Sequence, residues 1–163
     1  MQLAGFQILN GLVYGMLLFL MSAGLSLIFG LMRVLNLAHG SFYMLAAYLT
    51  YSLTAALPLG SAAFYAAVIL AACIVAALGG LVEVLLLRRV YRAPELYQLL
   101  LTFALVLIVA DAVRYLWGAD NKTGPAASGL AGSVPIAGQL FPSYDLAVVA
   151  FGTSAETAVW LFL

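Results

Sequence analysis

The stretch with the most chemistry in this chain is Asn36-Leu37-Ala38-His39-Gly40-Ser41, where an amide, the only histidine, a glycine and a hydroxyl fall close together. Nothing around it completes a catalytic set. The sequence has no HExxH, no nucleophile elbow and no Walker A motif, and its only lysine, Lys122, lies in no phosphate-binding loop. Cys73 stands alone in an apolar run, so it offers neither a disulfide nor a cysteine-based metal site. No metal is predicted, and no cofactor in this chain. The remaining titratable candidates are Glu83, Asp111 and Glu156, carboxylates within or beside apolar stretches. Such groups are the ion or proton sites that a secondary carrier requires.

The elements that position these residues follow from composition. Of 163 residues, 66% are hydrophobic and 7% charged, against about 25% charged in a soluble domain. Mean hydropathy is +1.16. A disordered chain, a basic nucleic-acid binder and an ordinary cytosolic enzyme are excluded. The acidic and basic residues cancel, so the net charge points to no acidic or basic partner. Their placement matters more: none precedes Arg33, and none falls between Arg33 and Glu83. Uncharged apolar runs of that length read as membrane spans. The first is also too long for a signal peptide and has no basic leader.

Five apolar segments are predicted, from about Gly5 to Met32, Ser41 to Leu57, Ser61 to Leu87, Leu96 to Trp117, and Tyr144 to Leu163. The expected fold is an all-α integral membrane protein of about five transmembrane helices. It has a break at 36–41 and a long extracytoplasmic loop at 118–143. That loop is rich in Gly and Pro, with Val134 and Ile136 alternating, so turns and a short hairpin are expected there. Residues 1–163 are expected to form a single transmembrane domain whose last apolar run is still open at Leu163. Arg88, Arg89 and Arg92 are half of all the basic residues, which predicts a cytoplasmic loop at 88–95 and an external N-terminus.

Within the spans, Gly11, Gly15, Ser22 and Ser26 fall in an arc of about 60° at 100° per residue, a small-residue stripe suited to helix packing. Glu83 lies close enough to Arg88 and Arg89 to meet a basic partner. Asp111 and Arg114, three apart, suit a pair near the outer interface. Glu156 lies 11 residues beyond Asp145, about 16 Å into the bilayer by helix rise. It is expected to face the bundle interior and to bond a hydroxyl such as Thr153, Ser154 or Thr157, or a neighbouring helix. For 36–41 two readings fit: a non-helical break lining a watery path, or a tight turn whose polar side chains cap helix ends.

The run from Gly24 to Tyr48, GLSLIFGLMRVLNLAHGSFYMLAAY, resembles the bacterial ABC-transporter permeases of the branched-chain amino-acid uptake family, whose pattern is G-L-x-L-x-F-G followed by N-x-A-H-G. Thr102-Phe103-Ala104-Leu105 with Arg114 to Gly118, and Phe141-Pro142 with Tyr144, are similar to two further blocks of that family in the same order. Ala104 departs from the usual Gly, and Glu156 stands where apolar or small residues are usual. The resemblance implies an ATP-driven importer subunit rather than an enzyme, with 1–163 a single permease domain that is incomplete at its C-terminus. It implies a second permease subunit, cytoplasmic ATP-binding subunits and a periplasmic solute-binding protein as partners, in the bacterial inner membrane. The solute would be a branched-chain or related small amino acid. Asn36, His39, Gly40, Ser41 and Thr102 are the residues expected to border the translocation path or its hinge. Urea and small-amide permeases share these motifs, and an ion-coupled carrier or a structural membrane subunit are readings from other classes.

Overall fold

In the computed structural model of the chain, five long helices and one hairpin account for nearly all the order, as an all-α membrane protein requires. The structure describes residues 2–32, 36–57, 62–120, 122, 124, 127, 129–136 and 139–162. Arg33, Ser61 and Leu163, used above as boundary marks, lie outside these. The helices are α1 (Gln2–Met32), α2 (His39–Ala56), α3 (Ala63–Val82), α5 (Glu95–Trp117) and α6 (Ser143–Phe162). Between α3 and α5, a π-helical turn at Glu83–Leu87 leads directly into the short α4 (Arg88–Val90). Strands β1 (Ser133–Ile136) and β2 (Gln139–Pro142) pair antiparallel, Ser133 opposite Pro142 and Ile136 opposite Gln139.

Among the described residues, the segments Gln7–Gly30, Ala63–Val90 and Glu95–Trp117 are long and apolar enough to cross a membrane. The other two long helices are shorter and less apolar. α2 carries Thr50, Ser52 and Thr54, and α6 carries Asp145 and Glu156. Thr50 and Thr54 satisfy their hydroxyls on the carbonyls of Ala46 and Thr50, at 2.8 and 2.7 Å. Back-bonding of this kind lets a hydroxyl sit in an apolar helix without an external partner.

The chain forms two compact units, Leu25–Pro125 and the pair of segments Met1–Gly24 with Ala126–Leu163. In the first, α2 packs mainly on α3 and also meets α5. The buried residues of α3 are Ala63, Ala67 and Ala71, four apart and therefore on one helix face. Small side chains allow close backbone approach where lipid supplies no hydrophobic driving force between helices. At the far end of α5, Trp117 donates from Nε1 to Ser52 Oγ at 2.6 Å, and its ring lies 5.5 Å from that of Tyr48. Tyr48 and Ser52 are one turn apart on α2, so a single residue of α5 reads both. Gly118, at φ +84°, ends α5 by donating its N–H to the Arg114 carbonyl. Only glycine adopts that backbone geometry without strain.

In the other unit, the hairpin is tied to α6 through Ser143. Its hydroxyl donates to the carbonyls of Leu130 (2.7 Å) and Gly132 (2.9 Å), and its N–H also reaches Gly132. Phe141 and Ala127 are buried there. Met16 of α1 lies against Gly152 of α6, and a Cβ at Gly152 would overlap the Met16 side chain. The small-residue stripe expected on α1 plays no such part: Gly11, Gly15, Ser22 and Ser26 are all exposed, and a Cβ on either glycine would meet nothing.

Three expectations need correction. The chain is helical from His39, so within 36–41 only 36–38 lie outside helix, and His39, Gly40 and Ser41 form the first turn of α2. Asp111 and Arg114 are both exposed and make no ion pair with each other. Holding two long exposed side chains together gains too little to offset their lost freedom. Glu156 is exposed rather than interior. The hydroxyls of Thr153, Ser154 and Thr157 bond instead to carbonyls of their own helix, which leaves none directed at its carboxylate.

Gly152→Val is expected to overpack the contact with Met16 at a cost of about 1–3 kcal/mol, seen as a lower unfolding midpoint in detergent. Met16→Ala in the same chain should recover part of the loss. Equal midpoints for parent and Gly152→Val would contradict the close approach.

Candidate functional site

Asn36 sets the start of α2. Its Oδ1 accepts the Ala38 N–H at 3.1 Å, and its backbone carbonyl accepts the His39 N–H at 3.3 Å. This Asx-type turn competes locally with helix and explains why regular structure resumes only at His39. Ala38, at the N-cap position, is buried but has no side-chain acceptor to offer the helix. Asn36 thus closes the turn ahead of α2 without capping the helix, and His39 reaches another surface.

That surface is a cavity of about 370 Å³ within the Leu25–Pro125 unit. Asn36, His39 and Phe42 line it from the head of α2, and Ile28 from α1. Val75, Ala76, Gly79 and Val82 of α3 form the opposite wall, continued by Glu83 and Leu87 of the π turn and by Tyr91. The site is mostly apolar, and Asn36, His39, Glu83 and Tyr91 are its polar side chains. Small-molecule sites commonly have this composition and a volume of about 300–1,000 Å³.

The π turn determines which polar groups meet. In an α-helix, residues five apart lie about 140° apart around the axis. Here the Arg88 N–H reaches the Glu83 carbonyl five residues back, so the two side chains share a face. Arg88 Nε lies 3.4 Å from Glu83 Oε1. Glu83 thus has the basic partner expected of it, and the local winding supplies the geometry. π-Helical turns within α-helices occur often at functional sites.

Tyr91 is the least satisfied member. Among the described residues, no hydrogen bond of ideal geometry reaches its buried phenolic oxygen. Burial, and then the negative charge of Glu83, push its pKa above the usual phenol value, while Arg88 pulls the other way. Glu83 acts on the phenol through its charge and also as a nearby hydrogen-bond acceptor, although the pair falls outside ideal hydrogen-bond geometry. The turn carrying Tyr91 is held by Gln98, a buried amide on α5 whose Nε2 donates to the carbonyls of Val90 (3.3 Å) and Ala93 (3.4 Å).

Of the residues expected at the site, Asn36 and His39 are brought to the cavity wall. Gly40 is exposed, while Ser41 and Thr102 are buried away from the wall. The Thr102 hydroxyl donates to the Leu99 carbonyl at 3.2 Å. Tyr91, Gln98 and Gly79 did not stand out in the sequence. A lone glutamine in an apolar helix was the one visible signal, whereas Tyr91 is one tyrosine among nine.

Residues 7–163 match the family described as branched-chain amino acid transport system / permease component. No curated protein and no solved structure matches the chain.

The two charges flanking Tyr91 give opposite signs to a titration. The folded chain favours the neutral phenol. Its contribution to stability is therefore complete below the ordinary phenol pKa and is lost as pH rises through the raised value. The tyrosine absorbance of the parent minus that of Tyr91→Phe should titrate above the ordinary value. Glu83→Gln should move that midpoint down, and Arg88→Gln should move it up. Shifts of the same sign in both variants would contradict the placement.

Proposed function

We infer the role of this chain from its family: it belongs to the permease components of branched-chain amino acid transport systems. It is a multi-pass membrane transport subunit, and our reading is that it serves an ATP-driven importer of branched-chain or related small amino acids. The observation that carries this reading is the family match over residues 7–163, which contains the polar turn at the head of α2 and the cavity beside it. Hydrolysis of ATP would occur in separate cytoplasmic subunits, and a periplasmic solute-binding protein would deliver the solute. A second permease subunit would complete the path, and the exposed stripe of Gly11, Gly15, Ser22 and Ser26 suits such a neighbour.

In this scheme the chain lies in the bacterial inner membrane with its N-terminus outside and 88–95 in the cytoplasm, supported by the arginines at 88, 89 and 92. The cavity then opens near the cytoplasmic end of α3. Asn36 and His39 border the translocation path. Gly40 and Ser41, in the first turn of α2, and Thr102, buried on α5, belong to the hinge that controls it. A turn closed by a single Asx bond is a low-cost place to absorb a change in helix direction.

Uptake of labelled leucine by cells expressing the complete transporter should persist when an ionophore dissipates the ion gradients but ATP is maintained. It should stop when the binding protein is omitted. His39→Ala should lower uptake roughly tenfold, or about 1.4 kcal/mol in barrier. Ionophore-sensitive uptake that needs no binding protein would overturn the reading in favour of an ion-coupled carrier.

A further inference from the structure

The polar groups on the cavity wall largely answer one another. The Glu83 carboxylate takes Arg88 at 3.4 Å and is the nearby acceptor for the Tyr91 hydroxyl. Asn36 has committed its Oδ1 to the Ala38 N–H. What the wall leaves unfilled is apolar. Ile28, Phe42, Val75, Gly79, Val82 and Leu87 line it, and all but Leu87 are only half-buried, so the cavity is a groove open along one side. Val75, Gly79 and Val82 recur at spacings of four and three, which places them in one row along α3. Leu87 lies 12 residues beyond Val75, so the groove runs about 18 Å by helix rise. One leaflet of a hydrocarbon core of about 30 Å is about 15 Å deep. A Cβ at Gly79 would meet nothing within 4 Å, so the row is clear at its middle.

Charge gathers at one end of this groove. Ala63–Val90 and Glu95–Trp117 are both long and apolar enough to cross a membrane, so residues 91–94 between them turn at the membrane surface. Arg88, Arg89 and Arg92 are exposed there. Glu83 answers Arg88, and Glu95 stands in the first turn of α5, where a carboxylate suits the helix N-terminus. Arg89 and Arg92 have no ion-pair partner among the described residues. Leu87 and Tyr91, on the groove wall, directly precede Arg88 and Arg92 in the chain, so the free positive charge stands at the groove's mouth. The planar guanidinium fork suits a phosphate, and its long stem reaches headgroup level from a helix end.

We propose that this groove is a binding site for an anionic phospholipid. One acyl chain lies along Val75, Gly79 and Val82, and the phosphate meets Arg89 and Arg92. A soluble anion would leave the apolar row empty. A zwitterionic lipid would bring an ammonium to an end that already holds three arginines against two carboxylates. The site does not depend on which solute the transporter carries. Its occupant packs against the head of α2 through Phe42, so the lipid supports the turn at Asn36 from outside the bundle.

The test is native mass spectrometry of the delipidated, assembled transporter, titrated with phosphatidylglycerol or with phosphatidylcholine of the same chains. The tightest site should prefer phosphatidylglycerol at least fivefold. Glycerol 3-phosphate, which carries the phosphate without the chains, should not displace it. Arg89→Gln with Arg92→Gln should weaken phosphatidylglycerol binding at least fivefold, and Arg89→Lys with Arg92→Lys should recover part of the loss. Gly79→Leu, which fills the groove, should weaken both lipids alike. Lys122→Gln removes a charge outside this connector and should change nothing. The yield of assembled complex reports folding, and Val75→Phe fills the same row if Gly79→Leu assembles poorly. Equal affinity for the two lipids, or displacement by glycerol 3-phosphate, would overturn the assignment. So would parent-like binding by either the glutamine pair or the groove-filling variant. A parent that retains no lipid would also overturn it, leaving the groove to a helix of another subunit. Leucine uptake that persists through any of these failures leaves the transport reading standing.

Discussion

Backbone N–H and C=O groups that leave α-helical pairing in an apolar chain must find another partner inside the protein, because hydrocarbon offers none. That requirement shapes every irregularity here. At the head of α2, Asn36 accepts from Ala38 through its side chain and from His39 through its carbonyl. After α3, the chain keeps its bonding by widening to a π turn. The turn that follows is held by the Gln98 amide on two carbonyls, and the hairpin loop by the Ser143 hydroxyl on two more. Each polar side chain of this kind is short of alternatives, since so few residues of the chain are polar at all.

The same economy builds the cavity. Bringing Glu83 and Arg88 to one face relies on a backbone bond that reaches five residues back rather than four, and this wider turn borders the cavity next to Gly79 and Val82. The helix thus accommodates a charged pair near its end and creates space in one step. The Asx turn opposite places an amide and an imidazole against that space without a further element. Two local departures from helix line one cavity beside the packing of α2 on α3, and that packing is close because Ala63, Ala67 and Ala71 are small.

Much of this was legible before the fold. Long uncharged runs can only be membrane-directed helices, so the five segments and their order follow from hydropathy, and the alternation at Val134 and Ile136 carries the hairpin. Within the polar run at 36–41, Asn36 and His39 line the cavity. The stripe on α1 was legible as a pattern but is exposed within this chain, while the stripe buried on α3 is made of alanines, which an alanine-rich segment does not advertise. Spacing also overstated the pair Asp111 and Arg114, because proximity on an exposed helix face permits an ion pair without holding one.

The sequence by itself determined the class of protein, the helical segments, the hairpin, the turn at Asn36 and the family pattern, because each depends on residues near one another in the chain. Only the tertiary structure decided that Gly152 receives Met16, that Trp117 joins Tyr48 and Ser52, and that Asn36 and Glu83 face a common cavity. Those contacts depend on which helix faces meet, and between Glu83 and Arg88 on how tightly the helix is wound. A change of one residue per turn moves a side chain through a large angle around the axis, and hydropathy is the same on either side of it.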